Sequence, residues 1–242
     1  MRRTQADRPR AWYQANAARY DRRHPGLPGD LAFYASLAEG ARVLEIGAGT
    51  GRVTTALAAL AASVLAIDNA PAMLAIAVGR LRGAGNVDLL LADVRCLAVR
   101  QRFELIVLAY RTLQHLDPAS RRRFWSEVGA LLSPGGRLAF DTWHGPIPMS
   151  GTRELAITPA TVDDIRRELG QAGLRVITVR AGFDAVPDVS SFNRVWIVDG
   201  PDPPSVSHAG RSEVSYRPSA MGPHPVLMSR KRAEDRALVP SS

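Results

Sequence analysis

The stretch Arg42-Val43-Leu44-Glu45-Ile46-Gly47-Ala48-Gly49-Thr50-Gly51-Arg52-Val53-Thr54 constrains the fold more than any other part of this chain. The apolar run 43–46 reads as a buried parallel strand, the three glycines as a tight turn, and 53–62 as a helix that packs back onto the sheet. Glycine is needed in such a turn because some positions require positive φ, and because a ligand can touch the backbone only where no Cβ intervenes. A nucleotide-like ligand on that turn is the expectation.

Spacing narrows the ligand. The dinucleotide fingerprint G-x-G-x-x-G would put its third glycine at position 52, which is Arg52. Here the glycines stand at 47, 49 and 51, with Glu45 two residues before the first. This E-x-G-x-G-x-G pattern resembles motif I of the class I S-adenosylmethionine-dependent methyltransferases. The resemblance implies a Rossmann-like α/β fold: a seven-stranded, mostly parallel sheet with helices on both faces and an antiparallel last strand. It implies S-adenosyl-L-methionine as cofactor, with Glu45, Gly47, Ala48, Gly49 and Gly51 beside its methionine half and no pyrophosphate to hold.

The next elements repeat one theme, an apolar strand that closes on an acid. Strand 63–68 ends in Asp68, 21 residues beyond Gly47, where an open parallel sheet places a carboxylate for the ribose hydroxyls. Dinucleotide enzymes share this feature. Asn69 and Pro71 then open a helix. Met73 on it either packs against the adenine, as the resemblance implies, or is a core methionine. Strand 86–93 ends in Asp93, which in the family binds the adenine amino group while the next amide, Val94 here, binds a ring nitrogen; the alternative is an acid capping a turn. Asn69 and Ala109 complete the cofactor residues that the resemblance implies.

Strand 103–109 leads into the segment where substrate meets methyl donor in this fold. The tract FELIVLAYRTLQHL resembles small-molecule methyltransferases of the "methyltransferase domain" type. Tyr110, Gln114 and the more distant His144 are candidate substrate residues. His115 is the candidate general base, since imidazole titrates near neutral pH; its structural alternative is to cap the helix beginning near Pro118. No Asn/Asp-Pro-Pro-Tyr signature is present, which argues against DNA adenine or protein glutamine as acceptor. A helix over 118–132 stops at Ser133-Pro134-Gly135-Gly136, and strand 137–143 follows, with Asp141 expected to orient its neighbours. The next helix, 158–172, has Thr158 as its expected cap, and strands 174–181 and 191–198 close the sheet. The resemblance spans 20–198.

At 242 residues and 46% hydrophobic, the chain can build one sizeable core. The expected division is a basic arm and lid helix over 1–23, a methyltransferase domain over 24–199, and a disordered tail over 200–242 rich in Pro, Ser and Arg. In the first part, helix 11–20 with Tyr20 either covers the cofactor or packs its aromatics on the core. Between 142 and 158 only a short loop is available to wall the acceptor pocket. The net charge of +8 lies in the two ends, because residues 24–200 hold 18 basic and 17 acidic side chains. A near-neutral body disfavours nucleic acid and favours a small-molecule acceptor. One cysteine, no secretory leader and no run long enough to span a bilayer imply a cytoplasmic protein without a membrane partner, acting as monomer or homodimer. No residue cluster suggests a metal.

Overall fold

The computed structural model describes residues 8–97, 99–145, 157–184, 192–201 and the pair 226–227. Five strands run parallel through the middle of one sheet: β1 (Arg42–Ile46), β2 (Ser63–Asp68), β3 (Val87–Leu91), β4 (Phe103–Leu108) and β5 (Leu132–Trp143). β7 (Asn193–Asp199) pairs antiparallel with both β5 and β6 (Arg175–Ala181). The order β6-β7-β5-β4-β1-β2-β3 is extended by a two-residue strand β8 (Val226–Leu227), antiparallel to β3. The seven-stranded Rossmann-like sheet is therefore present, with a short eighth strand that sequence reading did not anticipate.

Alternate strand residues face opposite sides of a sheet, and both sides here are apolar. Val43, Val64, Leu105, Val107 and Val195 belong to one core with Tyr34, Val53, Leu57 and Leu74, which come from α2 (Asp30–Leu37), α3 (Arg52–Ala58) and α4 (Pro71–Arg80). Leu44, Ile106, Phe140 and Trp196 belong to the other, with Phe124, Trp125, Ile165 and Leu169 from α5 (Pro118–Leu131) and α6 (Val162–Gln171). On this second side the buried Arg121 guanidinium donates to both Glu168 carboxylate oxygens at 2.6 and 2.7 Å and ties α5 to α6. The first helix, α1 (Arg8–Arg23), rests on α4 through Ala17, Ala70 and Met73.

The first helix runs over Arg8–Arg23 rather than 11–20, and three other boundaries differ from expectation for a visible local reason. The helix expected over 158–172 starts at Val162, because Thr161 and Asp164 form the capping box; Thr158 instead donates its N–H to the Gln114 carbonyl at 2.7 Å. The motif helix ends at Ala58, four residues early, where the chain turns so that Ala62 N–H reaches the Ala41 carbonyl ahead of β2. The Pro-Gly-Gly segment is an irregularity within β5, whose register jumps from Leu132 opposite Phe103 to Arg137 opposite Leu105. The arm before Arg8, loop residues 146–156, and the tail beyond Pro201 apart from β8 lie outside the described residues.

Candidate active site

In an open parallel sheet the crevice lies outside the carboxyl ends of the strands, where the strand order reverses. Here that point is between β1 and β4, and the glycine turn leaves β1 there. Gly47, Gly49 and Gly51 all have positive φ, at 79°, 57° and 80°. A Cβ at Gly47 would lie 2.5 Å from Thr112 Oγ1, so the turn packs directly on the segment after β4. At Gly49 the nearest atom to such a Cβ is Met73 Cε at 3.8 Å, which leaves the residue open toward the cavity. Four N–H groups of the turn are already engaged. Those of Gly47 and Ala48 donate to the Ile67 carbonyl, that of Gly51 to the Ala48 carbonyl, and that of Gly49 to Asp68 Oδ2 at 2.8 Å. A turn arranged this way is not the ring of free N–H groups that cradles a pyrophosphate.

The crevice is a cavity of about 480 Å³, within the range of small-molecule sites. Of the sequence-predicted cofactor residues, Tyr20, Gly47, Gly49, Asp68, Asn69, Met73, Asp93, Val94 and Ala109 line it, as do Tyr110 and His115. Asp68 accepts the Gly49 and Ala70 N–H groups, each at 2.8 Å. Burial nevertheless raises its pKa, outweighing those bonds. Asp93 behaves oppositely. Burial pushes its carboxyl up, but hydrogen bonds from the Arg95 side chain and backbone, with Nε and N both 2.9 Å from Oδ1, bring the pKa below its ordinary value. Asp93 thus lines the cavity and also caps the 3-10 turn Val94–Cys96, the second of its two expected roles.

Five predicted residues stand elsewhere. Glu45 is buried beneath the turn, where Thr54 Oγ1 donates to its Oε2 at 2.5 Å; burial pushes its carboxyl up to about 8. Ala48 is buried, and Gly51 caps α3 with its Cα face against Ala77 and Leu81. Gln114 uses its whole amide to hold the end of β5, with Nε2 donating to the Trp143 carbonyl at 2.9 Å and Trp143 N–H donating to Oε1 at 2.7 Å. His144 Nε2 lies 2.8 Å from Thr142 Oγ1, and burial followed by the Arg194 charge keeps its pKa low. Gln114 and His144 line a second cavity, of about 380 Å³.

His115 ends the 3-10 turn Thr112–His115. It does not cap α5: Asp117 does, accepting the Ala119 and Ser120 N–H groups at 3.0 and 2.9 Å. Opposite His115, α1 roofs the cavity with Pro9, Tyr13 and Tyr20. Its far end is anchored by Asp21, which accepts from Thr50 Oγ1 at 2.6 Å and pairs with Arg80, and Trp12 packs edge-on against Tyr13 and Tyr20. Tyr13 and Tyr20 therefore both line the cavity and pack against the ring of Trp12.

Sequence reading missed two features that depend on distant contacts. Tyr13 carries a hydroxyl 2.8 Å from His115 Nε2, although nothing in its local pattern separates it from Trp12 or Tyr20. Between β4 and the 3-10 turn, Tyr110 and Arg111 have φ of 56° and 67°, the only non-glycine residues with positive φ among those described. The left-handed region disfavours such residues by about 1–2 kcal/mol each. Asp141, fully buried in β5, holds them there: Oδ1 accepts Tyr110 N–H at 2.6 Å and the Tyr34 hydroxyl at 2.9 Å, and Oδ2 accepts Arg111 N–H at 3.1 Å. Burial outweighs these bonds and pushes its carboxyl up to about 6. The expectation that Asp141 orients its neighbours takes this concrete form.

Among the described residues no group of three or more His, Cys, Asp and Glu side chains could hold a metal ion, and no helix is long and apolar enough to cross a membrane.

Residues 43–136 match the family model described as "Methyltransferase domain". An uncharacterised methyltransferase of Mycobacterium tuberculosis is 34% identical over 126 residues, 52% of this chain and 49% of the relative. A ubiquinone biosynthesis O-methyltransferase of Xanthomonas axonopodis pv. citri is 36% identical over 106 residues, 43% of each chain. The matches thus span about half or less of the relatives' length. In fold, the chain resembles the CcbJ methyltransferase of Streptomyces caelestis, with a TM-score of 0.66 and 21% identity over 78% of this chain and 98% of that one. The segment that carries the glycine motif is thus similar to a methyltransferase domain, and the sheet order gives the chain the fold of the CcbJ methyltransferase.

Proposed function

We propose that this protein transfers a methyl group from S-adenosylmethionine to a hydroxyl or amine of a small molecule. The observation that carries the proposal is that one cavity is lined by the open glycine turn at Gly47 and Gly49, by acids at the ends of two successive strands, and by His115. In this reading Gly49 and its neighbours would hold the methionine half, Asp68 the ribose, and Asn69, Met73, Asp93 and Val94 the adenine. The engaged N–H groups of the turn suit a ligand without a pyrophosphate. Bound S-adenosylmethionine supplies an electrophilic methyl on a sulfonium, so the protein's task is to align the acceptor with it and exclude water. His115 would supply the base for the proton that the acceptor loses, a contribution of about 10²- to 10⁴-fold in rate.

A small acceptor is supported by the nearly balanced charge of residues 24–200 and by the roof that α1 places over the cavity. The relative named for ubiquinone biosynthesis points the same way. The test has two parts. Calorimetry should detect S-adenosylhomocysteine binding and no tight NAD binding, and mass spectrometry of protein incubated with S-adenosylmethionine and a panel of phenols, alcohols and amines should detect a product one methyl heavier. Tight NAD binding without a response to S-adenosylhomocysteine would refute the proposal.

A further inference from the structure

A general base must present a lone pair within hydrogen-bond reach of the proton it takes. The two nitrogens of His115 differ in this respect: Nδ1 is buried, and Nε2 faces the Tyr13 hydroxyl at 2.8 Å. The two rings meet edge to face, 5.5 Å apart at 87°, joining α1 to the turn after β4 across 102 residues of sequence. Both side chains line the cavity that also contains Gly49 and Asp68. Nε2 and the Tyr13 hydroxyl thus form one hydrogen-bonded pair in the wall of the cavity.

We propose that Tyr13 is a catalytic residue of the methyl transfer, its hydroxyl taking the acceptor's proton while its own phenolic proton passes to His115 Nε2. The proposal rests on reading the cavity as a methyl-transfer site. For a hydroxyl acceptor, the acceptor oxygen forms the new O–C bond and the C–S bond breaks with its electron pair left on sulfur. One proton moves from acceptor to Tyr13 and one from Tyr13 to His115, so the positive charge lost at sulfur reappears on the imidazolium. Tyr13 cannot act as a free phenolate. Burial, followed by Tyr20 on α1, Asp68 at the end of β2 and Tyr110 after β4, holds its pKa above the usual phenol range against the opposing charge of Arg111. It can give up its proton only as it receives another, which is the part His115 makes possible.

Full-length protein labelled with 15N-histidine and saturated with S-adenosylhomocysteine provides a test that needs no acceptor. His115, assigned by the signal missing in His115→Ala, should show an unprotonated, hydrogen-bonded Nε2. In Tyr13→Phe its titration midpoint should rise by about half a pH unit or more while that of His144 stays put, because a donor to the neutral ring opposes protonation. A protonated Nε2 whose midpoint does not move in Tyr13→Phe overturns the relay. On an acceptor that the wild type methylates, Tyr13→Phe should lower kcat by about tenfold or more with S-adenosylhomocysteine affinity held within about twofold. The double variant with His115→Ala should be no slower than His115→Ala alone, as expected for residues acting as a unit. Multiplying effects, or full turnover in Tyr13→Phe, overturn the relay alone. Binding of S-adenosylhomocysteine with no methylation of any panel compound overturns the methyl-transfer reading, and the relay with it.

Discussion

Asp141→Asn probes the carboxylate that holds two left-handed residues beside the site. Three donors converge on Asp141, two on Oδ1 and one on Oδ2. An Asn whose oxygen takes the Oδ1 position keeps Tyr34 and Tyr110 but turns its NH₂ toward Arg111 N–H. Leaving that donor unpaired costs about 1–3 kcal/mol. The opposing effect is the charge itself: burial raises the carboxyl to about 6, against an ordinary value near 3.9, so ionisation inside the fold is unfavourable by about 3 kcal/mol. Because the folded-state pKa lies above the unfolded one, the group's stabilising contribution is complete below about pH 4 and is lost as pH rises through about 6. A protonated Asp141, with one acceptor and one donor oxygen, resembles Asn in its hydrogen bonding. The variant should therefore match the wild type near pH 4 and exceed it at pH 7 by up to about 3 kcal/mol. Its turnover should nevertheless fall, since the Arg111 backbone is no longer held. Urea unfolding of both proteins across this pH range measures the difference, and Glu45, raised by burial to about 8, titrates in both and cancels. An Asn variant that is about 1–3 kcal/mol less stable at pH 7, with no dependence of the difference on pH, would show that the hydrogen bonds outweigh desolvation and refute the argument.

Two other substitutions address the cavity and the frame behind it. Asp68→Ala should weaken S-adenosylhomocysteine binding by about 1.5–3 kcal/mol, roughly tenfold or more by calorimetry, and destabilise the turn by orphaning the Gly49 and Ala70 N–H groups; an unchanged dissociation constant in a folded variant would reject its role. Arg121→Met should cost about 3–5 kcal/mol in chemical denaturation because it leaves Glu168 buried without its cation, and adding Glu168→Leu should restore most of that loss; a single variant of wild-type stability would show that the pair is solvated.

Local information was sufficient for the scaffold. The apolar runs of β1, β2 and β4, the glycine spacing at 47, 49 and 51, and the acids closing two strands are properties of consecutive residues, and a parallel strand carries its last residue to the crevice whatever else surrounds it. Hence the position of Asp68, Asp93 and His115 at the crevice was legible in the sequence. Roles that depend on where a side chain turns, or on what approaches from another element, were not. Glu45 and Gln114 look like ligand residues in the chain, yet one is closed under the turn by Thr54 and the other is engaged by the Trp143 backbone. Strand β8 has only two residues, too few to show a period, and exists because β3 offers an edge. Tyr13 meets His115, and Tyr34 meets Asp141, across more than a hundred residues. Such contacts are set when α1 and α2 dock on the sheet, since a hydrogen bond depends on distance in space and a sequence pattern reports only distance along the chain.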